Sequence, residues 1–208
     1  MDASEFTEHV REANETALSR LGSSKSLYAA TGGEMDTEDV LHAAADAERA
    51  AAETFEQWAA TSEGVPAGVY TATAEEEREH YETVAGELDD HEPGDAVSAM
   101  QAALRDLTDP VERVGGYVGR LEATDKSKEQ YVGFFVGQAD PQTAQLFRGL
   151  RDDLDGQRDR IDDLLDAVCE DDADVERALD AASTVIQAAY DEYTEQLESL
   201  GVNPKPVC

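Results

Sequence analysis

Residues 39–59 read DVLHAAADAERAAAETFEQWA, and residues 71–95 read TATAEEEREHYETVAGELDDHEPGD. Each stretch repeats apolar residues at intervals of three, four and seven, which is the period of an amphipathic helix. Three ionisable residues fall on these apolar stripes, Glu48 on the first and Glu77 with His80 on the second. Because a buried carboxylate needs a cation, a hydrogen-bond donor or a proton, we predict that these three side chains meet inside the protein.

The rest of the chain also has the pattern of helices separated by Gly and Pro, without the alternation typical of strands. Asp109-Pro110 and Asp140-Pro141 predict helix starts, because each places an acidic N-cap before a proline at the first helical position. We therefore predict one all-α domain over residues 1–208, an up-down four-helix bundle with additional N- and C-terminal helices. The main helices are predicted at about 37–60, 66–90, 110–136 and 141–169, and the extra helices at about 3–21, 95–107 and 174–200.

The chain is strongly acidic. Its 208 residues include 48 Asp and Glu against 16 Lys and Arg, so the formal net charge is −32. Such a surface repels phosphate backbones, because binding to them depends on Lys and Arg, and we expect no direct nucleic-acid partner. The acid excess, with only four lysines, resembles halophilic proteins of salt-loving archaea, where the Debye length is about 3 Å at 1 M salt. With 40% hydrophobic residues, the chain can still bury a core.

Nothing in the sequence predicts a membrane partner or export. No apolar run approaches the ~18 residues that span a bilayer, and the first ten residues, MDASEFTEHV, are polar. The two cysteines, Cys169 and Cys208, are too few for a disulfide framework. The chain has no P-loop and no dinucleotide fingerprint that follows a strand. We therefore expect a cytoplasmic protein.

The two stretches quoted first resemble the first helix pair of the rubrerythrin-like branch of the ferritin-like superfamily. In such bundles an inward Glu on one helix and Glu-x-x-His on its antiparallel neighbour hold iron or manganese. The resemblance covers residues 37–95. It implies Glu48 as the single-Glu ligand and Glu77 with His80 as the Glu-x-x-His pair. Two carboxylates and one imidazole suit iron, manganese or zinc, so we predict that the cofactor is a single ion of one of these metals, or none.

The second half of the chain departs from this pattern. A complete di-metal site needs the same two elements again, yet all four histidines, His9, His42, His80 and His91, lie before residue 92. His42 follows Asp39 by three residues but lies off the apolar stripe, so we predict that it is solvated. The carboxylates that the third main helix could add are Glu122, Asp125 and Glu129. The absence of Cys-x-x-Cys pairs also excludes a rubredoxin-like electron-transfer module.

The two halves can be superposed as an internal repeat with a shift of about 78 residues. Lys126 then faces Glu48, and Arg158 corresponds to His80, whereas a shift of 77 places Gln157 there instead. The first register predicts Lys126 and Arg158 as cations that replace the charge of a metal.

Three functions follow from these patterns. The first is a ferritin-like bundle protein with a partial or vestigial metal site and without di-iron catalysis. The second is a non-enzymatic regulatory or interaction protein, associated with transcription, whose extra helices contact a protein partner or a second copy of the chain. The third is a metal-dependent oxidoreductase that acts on oxygen or peroxide. Because the second half of the chain lacks a Glu-x-x-His pair, the non-enzymatic alternatives are favoured.

Overall fold

The computed structural model describes residues 1–94 and 96–204, and every regular element within them is a helix. The all-α prediction is thereby confirmed for the described part of the chain. None of its helices combines the length and the apolar character that a bilayer crossing requires. The helices, in chain order, are α1 (Ala3–Ala13), α2 (Glu15–Leu21), α3 (Ser24–Ala30), α4 (Thr37–Ala60), α5 (Gly64–Ala85), α6 (Ala99–Asp106), α7 (Pro110–Gly137), α8 (Pro141–Arg158), α9 (Ile161–Val168) and α10 (Asp172–Ser199).

Aspartate N-caps start four of the long helices. Asp36 caps α4, Asp109 caps α7, Asp140 caps α8 and Asp171 caps α10, and each carboxylate accepts a hydrogen bond from a backbone N–H of the first turn. These bonds satisfy donors that have no partner inside the helix, and the negative charge also suits the helix N-terminus. The two Asp-Pro dipeptides therefore start helices at the predicted positions.

Several predicted boundaries differ from the observed ones near the N-terminus. The helix predicted over residues 3–21 is two helices, because Asn14 leaves the helical conformation and its Nδ2 donates to Val10 O at 2.8 Å and to Ser183 Oγ at 3.0 Å. Helix α3 was not predicted from the sequence. Helix α5 ends before residue 90, because Gly86 forms its C-cap.

The helix predicted over residues 141–169 is also divided in two, α8 and α9. The chain turns at Asp159 and Arg160, where Arg160 Nη1 donates to Glu76 Oε2 of α5 at 3.0 Å. Helix α6 is shorter than the predicted 95–107, and Asp95 lies outside the described residues. These breaks depend on contacts with distant residues, so the local pattern did not predict them.

Helix α4 packs mainly against α5, and α7 packs against both α8 and α10. The apolar interior has two parts. One surrounds Phe55 and Tyr117, and the other surrounds Phe135 and Phe147. Along α4, α5 and α7, the positions between these two parts hold buried polar side chains rather than apolar ones. The four helices α4, α5, α7 and α8 all contribute to this polar layer.

Helices α7 and α10 are in unusually close contact. A Cβ atom built at Gly115 would lie 1.9 Å from the carbonyl oxygen of Ala178, and one built at Gly119 would lie 2.5 Å from that of Ala182. Only glycine permits this backbone approach. The glycines of α7 therefore position the helix that carries the polar layer against α10.

Candidate metal centre

The structure brings together the three residues that were predicted to meet in the interior. Glu48 comes from α4, and Glu77 and His80 come from adjacent turns of α5; their exposed fractions are 3%, 0% and 4%. One donor atom from each residue lies within 4.8 Å of the other two. His80 Nδ1 is 3.6 Å from Glu48 Oε2 and 3.7 Å from Glu77 Oε2. We call this group the buried carboxylate cluster.

Two cations and an amide contact the buried carboxylate cluster from the second half of the chain. The ammonium group of Lys128 donates to Glu48 Oε1, and Arg120 Nη2 is 2.7 Å from Glu77 Oε2. Gln157 Nε2 donates to Glu77 Oε1 at 2.6 Å, and its Oε1 accepts from Arg120 Nη1 at 2.9 Å. Lys128, Arg120 and Gln157 are all buried. Each carboxylate therefore already has a cation at contact distance.

These cations are not the ones that the sequence predicted. Lys126 lies against Gly22, and Arg158 contacts Asp155 at 2.9 Å and Glu122 at 3.5 Å. Lys126 and Arg158 were predicted wrongly because the shift between the two halves was chosen wrongly. The bonded pairs Glu48 with Lys128 and Glu77 with Gln157 are each 80 residues apart, rather than 78 or 77.

A difference of two residues decides which lysine enters the interior. Two positions on an α-helix are separated by a rotation of about 200°, so Lys126 and Lys128 lie on nearly opposite faces of α7. With a shift of 80, the position of His80 corresponds to Arg160, whose guanidinium contacts Glu76 rather than the buried carboxylate cluster. The second half thus has Lys, Gln and Arg where the first has Glu, Glu and His.

The carboxylates proposed from the third main helix are engaged elsewhere. Glu122 Oε2 accepts from Arg11 Nε at 2.6 Å, and Asp125 Oδ1 accepts from Arg151 Nε at 2.8 Å. Glu129 is exposed and lies 4.0 Å from Arg151. These pairs hold α1 and α8 against α7, so the third main helix supplies cations to the cluster instead of carboxylates.

The outer edge of His80 faces an acidic cleft. Its Nε2 lies 3.1 Å from Oδ2 of Asp153, an exposed residue of α8. The cleft between α5 and α8 is also lined by Glu76, Glu79 and Asp152. His80 therefore connects the buried carboxylate cluster to a negatively charged surface that attracts cations. Asp153 precedes Gln157 by one helical turn, and this spacing could have indicated that Asp153 lies near the buried carboxylate cluster.

The charges in the cluster stabilise one another. Burial alone would raise the pKa of Glu77, but the charge of Arg120 and the contacts with His80 and Lys128 hold that pKa well below its usual range. Burial alone would lower the pKa of His80, but its contacts with Glu48 and Glu77 raise the pKa to about 9. At neutral pH the imidazole is therefore protonated between two carboxylates.

The raised pKa of His80 gives a pH prediction. The pKa rises from 6.5 to about 9 on folding, so the imidazolium stabilises the fold fully below about pH 6.5. This contribution, of the order of 3 kcal/mol, is lost as the pH rises through about 9. We expect urea unfolding at constant high salt to show lower stability at pH 9.5 than at pH 6.5. The variant His80→Gln should lack most of this difference; an equal loss in variant and parent would contradict the assignment.

The donor atoms fit a divalent metal ion, but the charges oppose it. Glu48 Oε2, Glu77 Oε2 and His80 Nδ1 accept or donate no well-aligned hydrogen bond, and two oxygens with one imidazole nitrogen suit iron, manganese or zinc. Lys128 and Arg120 already balance both carboxylates, and protonated His80 adds a further positive charge. A metal would therefore have to displace a proton and tolerate two nearby cations.

No family model, no curated protein and no solved structure matches this chain. The function of the protein is therefore inferred from the contacts described above. Of these contacts, the bond between the buried Lys128 and Glu48 is the one that most directly distinguishes a metal centre from a cluster neutralised by side chains.

Proposed function

We propose that this chain is a ferritin-like bundle protein in which side-chain cations take the place of metal. In this proposal the protein has no di-iron catalysis and acts as a non-enzymatic regulatory or interaction protein. The observation that carries it is the bond from the fully buried ammonium of Lys128 to Glu48 Oε1. A buried charge needs an opposite charge beside it, and in this pair Lys128 supplies Glu48 with the positive charge that a metal ion would otherwise provide.

The ferritin-like assignment is supported by the way in which the helices share the cluster. Helices α4 and α5 supply Glu48, Glu77 and His80, and α7 and α8 supply the facing residues at a constant separation of 80. Such pairing is expected of two helix hairpins related by a repeat. In this proposal the second hairpin has exchanged its metal ligands for Lys128 and Gln157, with Arg120 as an additional cation.

A protein partner suits the charge of the surface better than a nucleic acid does. The formal net charge of −32 disfavours phosphate backbones and favours a basic protein surface. Helices outside the polar layer, such as α6 and α10, are available to form the acidic surface that a basic partner would contact. The halophilic character of the chain remains a prediction that the same composition supports.

A second candidate function is a centre with one metal ion. The observation in its favour is that Glu48 Oε2, Glu77 Oε2 and His80 Nδ1 are buried and form no well-aligned hydrogen bond, although Arg120 Nη2 lies 2.7 Å from Glu77 Oε2. These residues would hold the ion, and iron or manganese there would supply redox chemistry toward oxygen or peroxide. The acidic cleft beside Asp153 would provide the route for a cation to reach His80.

Thermal unfolding with and without Mn²⁺ or Fe²⁺ distinguishes the two candidates. The protein should be purified in high salt without chelator or affinity metal. We expect the same melting temperature in both conditions, because the cluster already contains its counter-charges. As a control, His9→Ala removes an exposed imidazole from α1. A rise in melting temperature with either metal that persists in His9→Ala and disappears in His80→Ala would establish the metal centre and overturn the proposal.

A further inference from the structure

A second group of side chains of the types that bind metals lies beside another face of α4. His42 and Asp46 are one turn apart on this helix, and His91 lies in the segment that follows α5. The side chain of His91 is only 3% exposed, although the residue is outside any helix. Its ring lies 5.2 Å from the ring of His42, centre to centre, with the two planes tilted by 31°.

His91 is held in place, but one of its nitrogens has no partner. Nδ1 is 3.3 Å from the hydroxyl of Tyr81, which fixes the orientation of the ring. Nε2 is buried and is 3.3 Å from Asp46 Oδ1, yet it forms no hydrogen bond, because the carboxylate lies off the axis of the nitrogen. The backbone N–H of Gly94 donates to the same Oδ1 at 3.1 Å. The nitrogen and the carboxylate are thus fixed side by side.

This arrangement matches two ligands of one tetrahedral metal ion. With metal–ligand bonds of about 2.0–2.1 Å, two ligand atoms on zinc lie about 3.3–3.4 Å apart, and neither points directly at the other. Tyr81 would act as the outer partner that ring nitrogens of metal-bound histidines usually have. In the described part of the chain Asp46 forms no ion pair with a lysine or an arginine. Its carboxylate charge is therefore not neutralised, in contrast to Glu48.

We propose that His91, Asp46 and His42 bind one Zn²⁺ ion. His42 is the third ligand, since it precedes Asp46 by four residues and therefore shares its face of the helix. Its side chain is 35% exposed and its Nε2 lies 3.9 Å from Glu38 Oε1, so the ring has to turn toward Asp46 to complete the site. The ion would hold the segment at residues 91–94 against α4. The site is separate from the buried carboxylate cluster and makes no use of Glu48, Glu77 or His80.

Calorimetric titration of the full chain with Zn²⁺ in high salt tests this site. We expect one equivalent to bind, with affinity reduced at least tenfold in His91→Ala, His42→Ala and Asp46→Asn. The asparagine keeps an oxygen for the Gly94 N–H, so this variant should retain the fold. His9→Ala, the matched loss of an exposed imidazole, should bind as the parent does. Titration with Co²⁺ should give the visible absorption of a tetrahedral centre, and His91→Ala should lack it.

Two results would overturn the inference, and they have different meanings for the proposed function. If Zn²⁺ does not bind, or binds with unchanged affinity in His91→Ala and Asp46→Asn, this site does not exist, and the proposed function is unaffected. If the equivalent of Zn²⁺ is instead lost in His80→Ala, the ion occupies the buried carboxylate cluster, and both proposals are wrong.

Discussion

Lys128→Met is expected to lower the free energy of unfolding by about 3–5 kcal/mol. The substitution keeps most of the volume of the side chain but removes the ammonium that contacts Glu48. Glu48 is almost completely buried and would lose its only directly bonded counter-charge, since protonated His80 lies 3.6 Å from its other oxygen, forms no aligned hydrogen bond with it and is shared with Glu77. Urea unfolding followed by circular dichroism, at constant high KCl, measures the change.

Lys126→Met is the matched control for this prediction. It makes the same substitution two residues away on α7, where the lysine is partly exposed, and should change the stability by less than about 1 kcal/mol. The double variant Glu48→Gln with Lys128→Met should recover part of the loss, because no buried charge then lacks a partner. Equal effects of the two lysine substitutions would show that Lys128 does not neutralise the cluster.

Gly115→Ala is expected to destabilise the protein by about 3 kcal/mol or more. The new Cβ would lie 1.9 Å from the carbonyl oxygen of Ala178, and the obstructing atoms belong to the backbone of α10 rather than to a flexible side chain. The two helices would have to separate to accept one methyl group. Separation would expose apolar surface along α7, which also carries Lys128 and Arg120. Chemical unfolding measures the loss of stability.

Gly133→Ala tests whether the effect comes from helix packing or from the substitution itself. This glycine lies on the same helix, and a Cβ atom there would meet no atom within 4 Å. Alanine is favoured over glycine in a helix interior, so we expect a gain of about 0.5–1 kcal/mol. If Gly115→Ala were also neutral or stabilising, the close approach of α7 and α10 would be refuted.

The sequence by itself determined which side chains of the first helix pair turn inward. The period of an α-helix fixes the face of each residue, so Glu48, Glu77 and His80 could be assigned to the interior from their positions on apolar stripes. The Asp-Pro dipeptides likewise determined where α7 and α8 begin, because capping is a local interaction. Local chemistry was sufficient for these features.

Only the tertiary structure decided which residues neutralise the cluster. Helix α7 is buried continuously over residues 113–123, because α8 and α10 pack on different sides of it. It therefore has no single apolar stripe there, and the sequence did not distinguish the inward Arg120 from its neighbours. The choice between Lys126 and Lys128 depended on how α7 is rotated about its own axis, and the close approach of Gly115 to α10 is one of the contacts that fix this rotation. The burial of His91 depends on a segment outside the helices that folds back onto α4, and helical periodicity carries no information about such a segment.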